Sequence, residues 1–351
     1  MTIHVLPAGF GDCLLVSCPV GKRTWRMLID TGPDETYPSL NKRLGELPLA
    51  ADGRRHIDLF VVTHIDHDHI GGAKLLLEDK ALALSFGDIW FNAPPTARPR
   101  GVEEGQLLAT LLGAVPASLP WNGAWSGGPV CTPAKGGGVQ MGARSLPRLT
   151  LLSPSPGELK DLYKVWDKEL ERLRLKQRDL PDLMPGTRAT CTDTLEALAT
   201  RKTPQDKSIP NGSSIAFLLE HKGASALFCA DAFSNVLTPA IEALAARRGL
   251  KGRLPVDVIK LGHHGSRANV TTELLKVVKA KHCVFSTDNS YFQHPDEEAV
   301  ARVIVGSDAS TLWFNFDTAQ NRRWDSAPLK QAYGYQTKYP DRDGKGVTIV
   351  L

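Results

Sequence analysis

The sequence predicts an α/β fold that carries a metal site at one edge of a sheet. Short apolar runs, typical of buried strands, alternate with amphipathic runs, typical of helices, over most of the 351 residues. Four predicted strands end in residues that can bind metals, and six of the ten histidines lie there. The strand ends of such folds meet at a common edge, where α/β proteins build their sites. We therefore expect these histidines to lie close together.

The first part of the chain alternates strands and helices, separated by glycines and prolines. The predicted elements are the strands Ile3–Leu6, Cys13–Cys18, Trp25–Ile29, Leu59–Thr63 and Ser85–Asn92, and the helices Leu40–Leu44 and Ala73–Asp79. Two aspartates lie beside these strands, Asp12 in a Gly-Phe-Gly-Asp turn and Asp30 at a strand end. Each is either a turn former or a carboxylate that holds a ligand histidine.

The densest polar stretch lies directly after the strand Leu59–Thr63. Residues 61–72 read V-V-T-H-I-D-H-D-H-I-G-G, with three histidines and two aspartates in six consecutive positions. Imidazole and carboxylate are donors that suit zinc or manganese. A solvated loop with incidental histidines explains this density less well than a set of metal ligands does. The stretch therefore predicts a metal site.

The region from about 93 to 207 departs from the alternation of strands and helices. Its first part is rich in proline and glycine and shows little periodicity, which is typical of long functional or disordered loops. A strand at Leu149–Ser153 and a helix at about 158–178 follow. Residues 179–208 are polar and predict a linker or a mobile insertion. We interpret 93–207 as an insertion into a single domain that spans residues 1–351.

The helix at about 158–178 carries basic residues at i, i+4 spacing. They are Lys160, Lys164, Lys168 and Arg172. Such a row is either a ridge for a phosphate backbone or a solvated helix face, and acidic residues in the same helix favour the solvated face.

Strands and helices alternate again after residue 208. The predicted elements are the strands Asn211–Glu220, Ser225–Ala232, Pro255–Leu261, His282–Thr287, Thr311–Phe316 and Val347–Leu351, and the helices Val236–Arg248, 271–279 and Asp296–Val305. Three of these strands lead into candidate functional residues. These residues are Asp231, the pair His263 and His264, and His294.

Composition restricts the class of protein. The 42% hydrophobic and 23% charged residues are ordinary for a globular domain, and the net charge of +4 permits a polyanionic substrate without requiring one. Six cysteines without a Cys-x-x-Cys pair exclude a disulfide scaffold and favour a reducing compartment. Signal-peptide features and an apolar run of the roughly 18 residues that span a membrane are both missing from the sequence. We therefore expect a cytoplasmic protein with no membrane partner.

Several motifs occur in a fixed order along the chain. His-x-Asp-x-Asp-His-x-Gly-Gly at 64–72 is followed by Ala-Asp-Ala at 230–232 and Lys-x-x-His-His-Gly-Ser at 260–266. Asn-x-Tyr-x-x-His-Pro at 289–295 and an Asp343-Gly344 turn before the last strand come after them. This set resembles the metallo-β-lactamase fold, and it is closest to the soluble hydrolase domain of ComEC-type DNA-uptake competence proteins. The resemblance implies a four-layer αβ/βα sandwich that is interrupted by the insertion.

The resemblance also implies a binuclear site for two divalent cations, zinc or manganese. The implied ligands are Asp68, His69 and His263 for one cation and His64 and Asp66 for the other, with Asp231 between them. Whether His263 or its neighbour His264 binds metal stays open. His67, between the ligands in sequence, is expected to point away.

One of the two implied cation positions departs from the commonest pattern of the family. Asp66 stands where that pattern has a histidine, and Asn211 lies near the place of a missing third histidine. This position is therefore expected to be oxygen-rich, with water, Asn211 or His294 completing it.

The implied chemistry is hydrolysis by a water that two cations hold and activate. The expected catalytic residues are Asp68 and Asp231, which orient the nucleophile, and His294, Lys260 and His264, which stabilise charge or protonate the leaving oxygen. Packing or ligand support is an equally good interpretation of Lys260 and His264.

The leading functional hypothesis is a metal-dependent phosphodiesterase or nuclease. One alternative is a hydrolase of a small substrate such as a cyclic nucleotide, lactone, thioester or lactam, and another is a non-catalytic binding module with a partial metal site. The expected partners are a nucleic acid or nucleotide as substrate, and a protein that binds through the 93–207 insertion.

Overall fold

The architecture comes from a computed structural model of the chain. It describes residues 1–94, 108–109, 119–133, 140–141, 145–178, 193–341 and 346–351. The predicted Asp343-Gly344 turn lies outside these residues, as does much of the predicted insertion, so the division into one domain with an insertion stays a prediction.

Two β-sheets form the centre of the molecule. Their strands are β1 (Thr2–Val5), β2 (Leu14–Val20), β3 (Arg23–Ile29), β4 (Arg55–Val61), β5 (Leu84–Trp90), β6 (Gln140–Met141), β7 (Arg148–Ser153), β8 (Ala216–His221), β9 (Ala224–Phe228), β10 (Leu254–Lys260), β11 (Val278–Phe285), β12 (Thr311–Phe314), β13 (Gln336–Lys338) and β14 (Val347–Val350). The first sheet has the order β14-β1-β2-β3-β4-β5, and the second has the order β13-β12-β11-β10-β9-β8-β7-β6.

The strands that lead into the candidate ligands run parallel to a neighbour. In the first sheet β4 pairs in parallel with both β3 and β5. In the second sheet β10 pairs in parallel with both β9 and β11. The carboxyl ends of these strands therefore lie along one edge of each sheet, which is where side chains from separate parts of the sequence can meet.

Helices cover the outer faces of both sheets. They are α1 (Tyr37–Gly45), α2 (His67–Ile70), α3 (Ala73–Glu78), α4 (Pro156–Arg178), α5 (Leu195–Thr200), α6 (Ile209–Gly212), α7 (Ser234–Arg247), α8 (Thr272–Val277), α9 (Glu297–Gly306), α10 (Ala319–Arg322) and α11 (Ala327–Tyr333). Among the described residues, no helix combines the length and the apolar character that a membrane crossing requires.

Three apolar cores separate the four layers. The alternation of side chains along each strand produces them, because successive residues point to opposite faces of a sheet. Val16 of β2 packs between the two sheets, together with Phe217 of β8. Its neighbour Leu15 packs under α1, α3 and α4. The third core lies between the second sheet and α5, α7, α8 and α9. The predicted four-layer α/β sandwich is therefore confirmed.

The prediction of a linker over 179–208 is wrong for its described C-terminal part. Residues Leu195–Thr200 form α5, which packs against α9 in the third core. The hydroxyl of Thr194 caps this helix by accepting from the amide of Ala197 at 3.2 Å. Three other short elements, α10, α11 and β13, were not predicted, because each gives only a weak periodic signal.

Candidate metal centre

The candidate metal centre lies where the parallel strands of both sheets end. The segment after β4 carries His64 and leads into α2, which carries Asp68 and His69. In the second sheet, Asp231 follows β9 and the tight turn Gly262–Gly265 follows β10. Segments that are far apart in sequence thus meet at strand ends as predicted, but they come from two sheets rather than from one edge of a single sheet.

The Gly-Phe-Gly-Asp turn before β2 packs directly against this centre. The amide of Asp12 donates a hydrogen bond to the carbonyl of Asp68 at 3.0 Å. A Cβ atom on Gly11 would lie 2.0 Å from that carbonyl oxygen. Only glycine permits so close an approach of two backbone segments, and this explains the glycine in the turn.

Four imidazole rings surround the carboxylate of Asp231. Nε2 of His69 lies 3.4 Å from Oδ1 of Asp231. Nε2 of His263 lies 3.7 Å from Oδ2, and Nε2 of His64 and His264 each lie 3.9 Å from it. A carboxylate at the centre of four ring nitrogens suits a group that two cations share.

The remaining donors form two groups around Asp231. In one group, Nε2 of His264 lies 3.1 Å from Oδ2 of Asp68 and 3.3 Å from Nε2 of His69. In the other, Nε2 of His64 lies 3.7 Å from Oδ2 of Asp66. A set of four buried ligand atoms within 4.8 Å of one another comes from Asp12, His69, Asp231 and His264. His264, rather than His263, therefore lies against Asp68 and His69, while the final choice of ligands stays a prediction.

The carboxylate of Asp30 orients the histidines after β4. Its Oδ2 accepts from Nδ1 of His69 at 2.8 Å, and its two oxygens accept from the amide and the hydroxyl of Thr63 at 2.7 and 2.8 Å. The same hydroxyl lies 3.1 Å from Nδ1 of His64. These bonds place the proton of each ring on Nδ1 and leave Nε2 free to accept a cation. Asp30 thus has the supporting role that was one of its two expected roles.

The two histidines after β10 are oriented in the same way. Nδ1 of His264 donates to the carbonyl of Ser286 at 3.0 Å. Nδ1 of His263 lies 3.2 Å from Oδ1 of Asn269 and 3.4 Å from Oδ2 of Asp206. Both rings therefore direct Nε2 towards Asp231, and support of this kind is typical of metal-binding histidines.

The electrostatics of the cluster favour a positive charge. Burial opposes protonation of His69, yet the carboxylates of Asp231, Asp30 and Asp68 hold its pKa well above the ordinary value. Burial likewise opposes protonation of His263, but Asp231 foremost among the carboxylates raises its pKa to about 9. Burial also opposes ionisation of Asp231, and the surrounding imidazoles hold its pKa well below the ordinary value. Protons or metal cations can both supply the positive charge that this balance requires.

Two buried atoms of the cluster show that its residues fit a metal. Nε2 of His64 and Oδ1 of Asp231 have no hydrogen-bond partner among the described residues. A buried polar atom without a partner costs about 1–3 kcal/mol, and a divalent cation would coordinate both. Histidine nitrogens with carboxylate oxygens are a donor set that suits zinc and manganese alike.

Strained backbone is concentrated at the same place. Asp30, Ala230, His263 and His264 are non-glycine residues with φ of 54°, 47°, 49° and 54°. A non-glycine residue in this left-handed region costs about 1 kcal/mol or more. Four such residues at one site indicate that the fold maintains a geometry which function requires.

The other predicted site residues contact the cluster through His263 or point away from it. The side-chain nitrogen Nδ2 of Asn211 lies 3.3 Å from Nδ1 of His263 and 2.8 Å from Oδ2 of Asp206. Oδ1 of Asn211 is buried and has no hydrogen-bond partner among the described residues. The ring of His294 packs 5.2 Å from that of His263. His67 faces the carboxylates of Asp34 and Glu35, so it points away from the cluster as expected.

The contacts of Lys260 favour the supporting interpretation over the prediction of a donor to the substrate, which stays a prediction. Its side chain is only 1% exposed, and its ammonium group is paired with the carboxylate of Asp12. Asp12 in turn lies 3.4 Å from Nδ1 of His264. Lys260 therefore supports a candidate ligand through Asp12, which was the alternative interpretation, and cannot reach a substrate without breaking a buried ion pair.

Sequence reasoning missed two residues at the centre. Asp206 holds His263 but lies in the stretch that predicted a linker. Arg172 was assigned to a solvated helix face, yet its Nη2 lies 3.4 Å from Oδ1 of Asp66. The i, i+4 row of basic residues was the available signal for Arg172, while no local pattern marks Asp206.

Comparison with known proteins agrees with the motifs. Residues 7–84 match the family model of the metallo-beta-lactamase superfamily. ComE operon protein 3 of Bacillus subtilis (strain 168) is 37% identical over 87 residues, which cover 22% of this chain and 11% of that protein. The similar segment is thus a small part of that longer protein.

Solved structures with similar architecture have low identity to this chain. The metallo-beta-lactamase fold protein YhfI from Bacillus subtilis is 11% identical, with a TM-score of 0.43 over 99% of this chain and 98% of that one. A diphosphatase from the PhnP family is 11% identical, with a TM-score of 0.41 over 100% and 98%. CmlA, a diiron beta-hydroxylase from Streptomyces venezuelae, is 14% identical, with a TM-score of 0.45 over 99% and 54%. These scores support no conclusion about activity. The N-terminal part of the chain thus resembles the metallo-beta-lactamase superfamily and, locally, ComE operon protein 3, while the two sheets flanked by helices agree with the fold that the motifs predicted.

Proposed function

We propose that this protein is a metal-dependent phosphodiesterase, and in particular a nuclease. The observation that carries the proposal is the guanidinium group of Arg172, which α4 brings to the edge of the metal centre. Nη2 of Arg172 lies 3.4 Å from Oδ1 of Asp66, and Glu169 accepts from its Nε at 2.5 Å. An arginine beside a metal cluster suits an anionic substrate, because guanidinium binds phosphate oxygens with matched geometry.

A neutral substrate would leave this arginine with no partner beyond the carboxylates of Asp66 and Glu169. Lactams, lactones and thioesters develop negative charge on a single oxygen during hydrolysis, and two cations are sufficient to stabilise it. A phosphodiester carries a negative charge before reaction and gains more during it. The side chain of Arg172 is 35% exposed, so a substrate can reach it from solvent.

The residues that would hold the cations are those around Asp231. We assign Asp68, His69 and His264 to one cation and His64, Asp66 and His263 to the other, with Asp231 between them. When bound, two such cations polarise a phosphoryl oxygen and lower the pKa of water. Either zinc or manganese suits this mixed set of nitrogen and oxygen donors.

The protein itself contributes orientation and charge balance. Asp68 is buried, and burial opposes its ionisation, yet His69 and His264 hold the pKa of its carboxyl below the ordinary range. It therefore remains an anion that can accept a hydrogen bond from the attacking water. Burial lowers the pKa of His294, so this ring is largely neutral at pH 7 and can donate one ring proton while accepting on the other nitrogen.

The decisive experiment compares substrates and one variant. We expect purified protein with Mn²⁺ or Zn²⁺ to cleave a chromogenic phosphodiester and single-stranded DNA or RNA, and to leave a chromogenic lactam intact. Asp68→Ala should lower the phosphodiesterase rate by more than about a hundredfold, since ligand support alone is worth 10–100-fold. Activity on the lactam alone would contradict the phosphodiesterase proposal. Unchanged cleavage by Asp68→Ala would contradict the assigned centre. Absence of bound metal in both proteins would favour a non-catalytic binding module.

A further inference from the structure

We infer that Phe292 is a stacking platform for an unpaired nucleobase at the edge of the metal centre. The inference rests on the proposed function for the phosphate group that would accompany the base. It adds a substrate class: single-stranded nucleic acid or nucleotide, with the base read by shape rather than by hydrogen bonds.

The first observation is an aromatic cluster that borders the candidate ligands. The ring of Phe292 stacks on that of His294, with centroids 5.7 Å apart and planes 22° apart. Its centroid lies 6.1 Å from that of His263, whose Nε2 is 3.7 Å from Asp231. Tyr291 and Phe10 pack around it at 4.4 and 6.4 Å. The ring therefore lies one side chain away from the cluster.

The second observation is that Phe292 remains exposed. Its side chain is 41% exposed, although several aromatic rings contact it, whereas Phe10 of the same cluster is only 7% exposed. The part of an apolar ring that stays in solvent contributes nothing to folding. Beside a charged site, such a ring can bind the flat apolar part of a ligand whose charged part lies at the metals.

The third observation is that the loop which carries Phe292 is held rigidly. Asn289 donates to the carbonyl of His294 at 2.5 Å and closes the loop on itself. Gln320 donates to the carbonyl of Gln293 at 2.7 Å, and the amide of Asp288 donates to the carbonyl of Gly9 at 3.0 Å. A ring that is fixed before binding loses little conformational entropy when a ligand stacks on it.

A nucleotide combines the two chemistries that lie side by side here. Its phosphate suits the metal centre and Arg172, and its base has a flat face that stacks on any aromatic ring regardless of sequence. In a duplex both faces of a base are already covered by neighbouring base pairs. The platform therefore predicts a preference for unpaired bases.

Binding rather than cleavage provides the test. The probe is a labelled strand with nuclease-resistant phosphorothioate links. It is prepared as a single strand with bases, as a single strand with abasic sugars at every position, and as a duplex. Each form is titrated with metal-loaded protein. We expect the base-bearing single strand to bind about fivefold or more tightly than the abasic strand, which has the same charge. A strand that contains 2-aminopurine should change its fluorescence when the base stacks.

Variants of Phe292 distinguish base stacking from nonspecific binding to exposed apolar side chains. Phe292→Ala should lose about fivefold or more in affinity for the base-bearing strand and nothing for the abasic strand, while Phe292→Trp should retain both affinities. Val305→Ala is the matched control, because Val305 is another exposed apolar side chain, at 43%, and lies on α9. Equal affinity of wild type and Phe292→Ala for the base-bearing strand would overturn the inference.

Further arms identify the source of the base and keep this inference apart from the proposed function. Competition by a nucleoside monophosphate, but not by the matching sugar phosphate, supports a platform that also takes free nucleotides. Equal competition by both compounds contradicts base stacking. Base-dependent binding without cleavage of any phosphodiester would retain the platform and reject the phosphodiesterase. Cleavage by Phe292→Ala with the same kcat and KM as the wild type would retain the phosphodiesterase and reject the platform.

Discussion

The chemistry of the centre depends on which nitrogen of each imidazole carries its proton. Nδ1 of His69 donates to Asp30, and Nδ1 of His264 donates to the carbonyl of Ser286. Each bond fixes a tautomer and a ring orientation in which Nε2 faces Asp231. Because the partners are a carboxylate and a backbone carbonyl, each ring keeps its orientation and its Nδ1 proton, and a cation at Nε2 would displace only the second ring proton.

At the same scale, Arg172 offers a direct test of substrate charge. Arg172→Gln removes the guanidinium group beside Asp66 while keeping a polar side chain of similar length. We expect KM for a phosphodiester to rise about tenfold with a smaller change in kcat, because a charge-assisted hydrogen bond is worth about 1.5–3 kcal/mol and this side chain is partly solvated.

Arg148→Gln is the matched control for that measurement. Arg148 also pairs with a carboxylate, that of Glu220 at 3.2 Å, but it lies on β7 and contacts none of the candidate ligands in the described contacts. Similar changes in KM for both variants would indicate a general effect of charge rather than a contact with substrate.

His4 gives the protein a pH-dependent term in stability that is separate from the metal centre. Nε2 of His4 lies 2.7 Å from a guanidinium nitrogen of Arg43, and Nδ1 lies 2.9 Å from the hydroxyl of Thr348. Burial foremost, then Arg43, lowers the pKa of His4 to about 4. A protonated ring could not accept from Arg43, so the folded state favours the neutral form.

The sign of this effect follows from proton linkage. Above pH 6.5 the ring is neutral in both states, whereas between pH 6.5 and 4 the unfolded chain binds the proton more readily, so stability falls as the pH falls. His4→Gln should reduce the difference between the free energies of unfolding at pH 7 and pH 5 by about 1 kcal/mol. This value is lowered because the ring is partly exposed to solvent. Urea unfolding at several pH values measures it. An unchanged slope would show that His4 titrates equally in both states.

At the scale of elements, α5 is a structural part of the second helical layer rather than a linker. Leu198 is 2% exposed and packs in the core between α5 and α9. We expect Leu198→Ala to lower the free energy of unfolding by about 2–5 kcal/mol, as for other buried leucines. Leu49→Ala, at a position that is 56% exposed, should change it by less than about 0.5 kcal/mol. A small effect of Leu198→Ala would mean that α5 detaches at little cost.

Long elements could be predicted from the sequence because their patterns repeat. The apolar run before His64 and the run before His263 both form parallel strands, and the 23-residue helix α4 appears where its periodicity placed it. The helices α5 and α11, with six and seven residues, make no more than two turns and give only a weak periodic signal, and tertiary packing determines them.

The residues of the candidate site likewise fall into those that the sequence indicated and those that only the structure shows. The dense motif marks a metal site in the sequence, and the resemblance singled out ligand candidates within it such as Asp68 and His69. Asp206 and Arg172 could not be found in this way, because their roles come from where a distant segment crosses the strand ends. Placing His264 rather than His263 against Asp68 and His69 required the left-handed turn that orients each ring. Adjacent identical residues give no sequence signal for that.

At the scale of the whole molecule, the candidate ligands come from both sheets. His69 follows a strand of the first sheet, and His264 follows a strand of the second, yet their Nε2 atoms are 3.3 Å apart. A cation that binds both should stabilise the folded state over the unfolded chain, by about 2.7 kcal/mol at a hundredfold excess over its Kd. We therefore expect the melting temperature to rise by several degrees with Zn²⁺ or Mn²⁺ and to fall again with a chelator.

Two carboxylate variants make that measurement specific. Asp231→Asn should abolish most of the metal-dependent rise, because Asp231 lies at the centre of the cluster. Asp257→Asn should retain it, since Asp257 lies on β10 and binds Ser225 of β9 and Lys281 of β11 instead. Equal metal-dependent shifts in both variants would indicate binding elsewhere on the protein.

The contact between His69 and His264 also constrains the order in which the protein can assemble. It joins positions 195 residues apart in the chain, and the entropy of closing so long a loop must be overcome before the two rings can meet. Neither sheet contains enough of the centre to form it alone. The rate of metal binding during refolding should therefore measure how fast the two sheets pack together. A newly synthesised chain would become able to bind the cations only when that packing is complete.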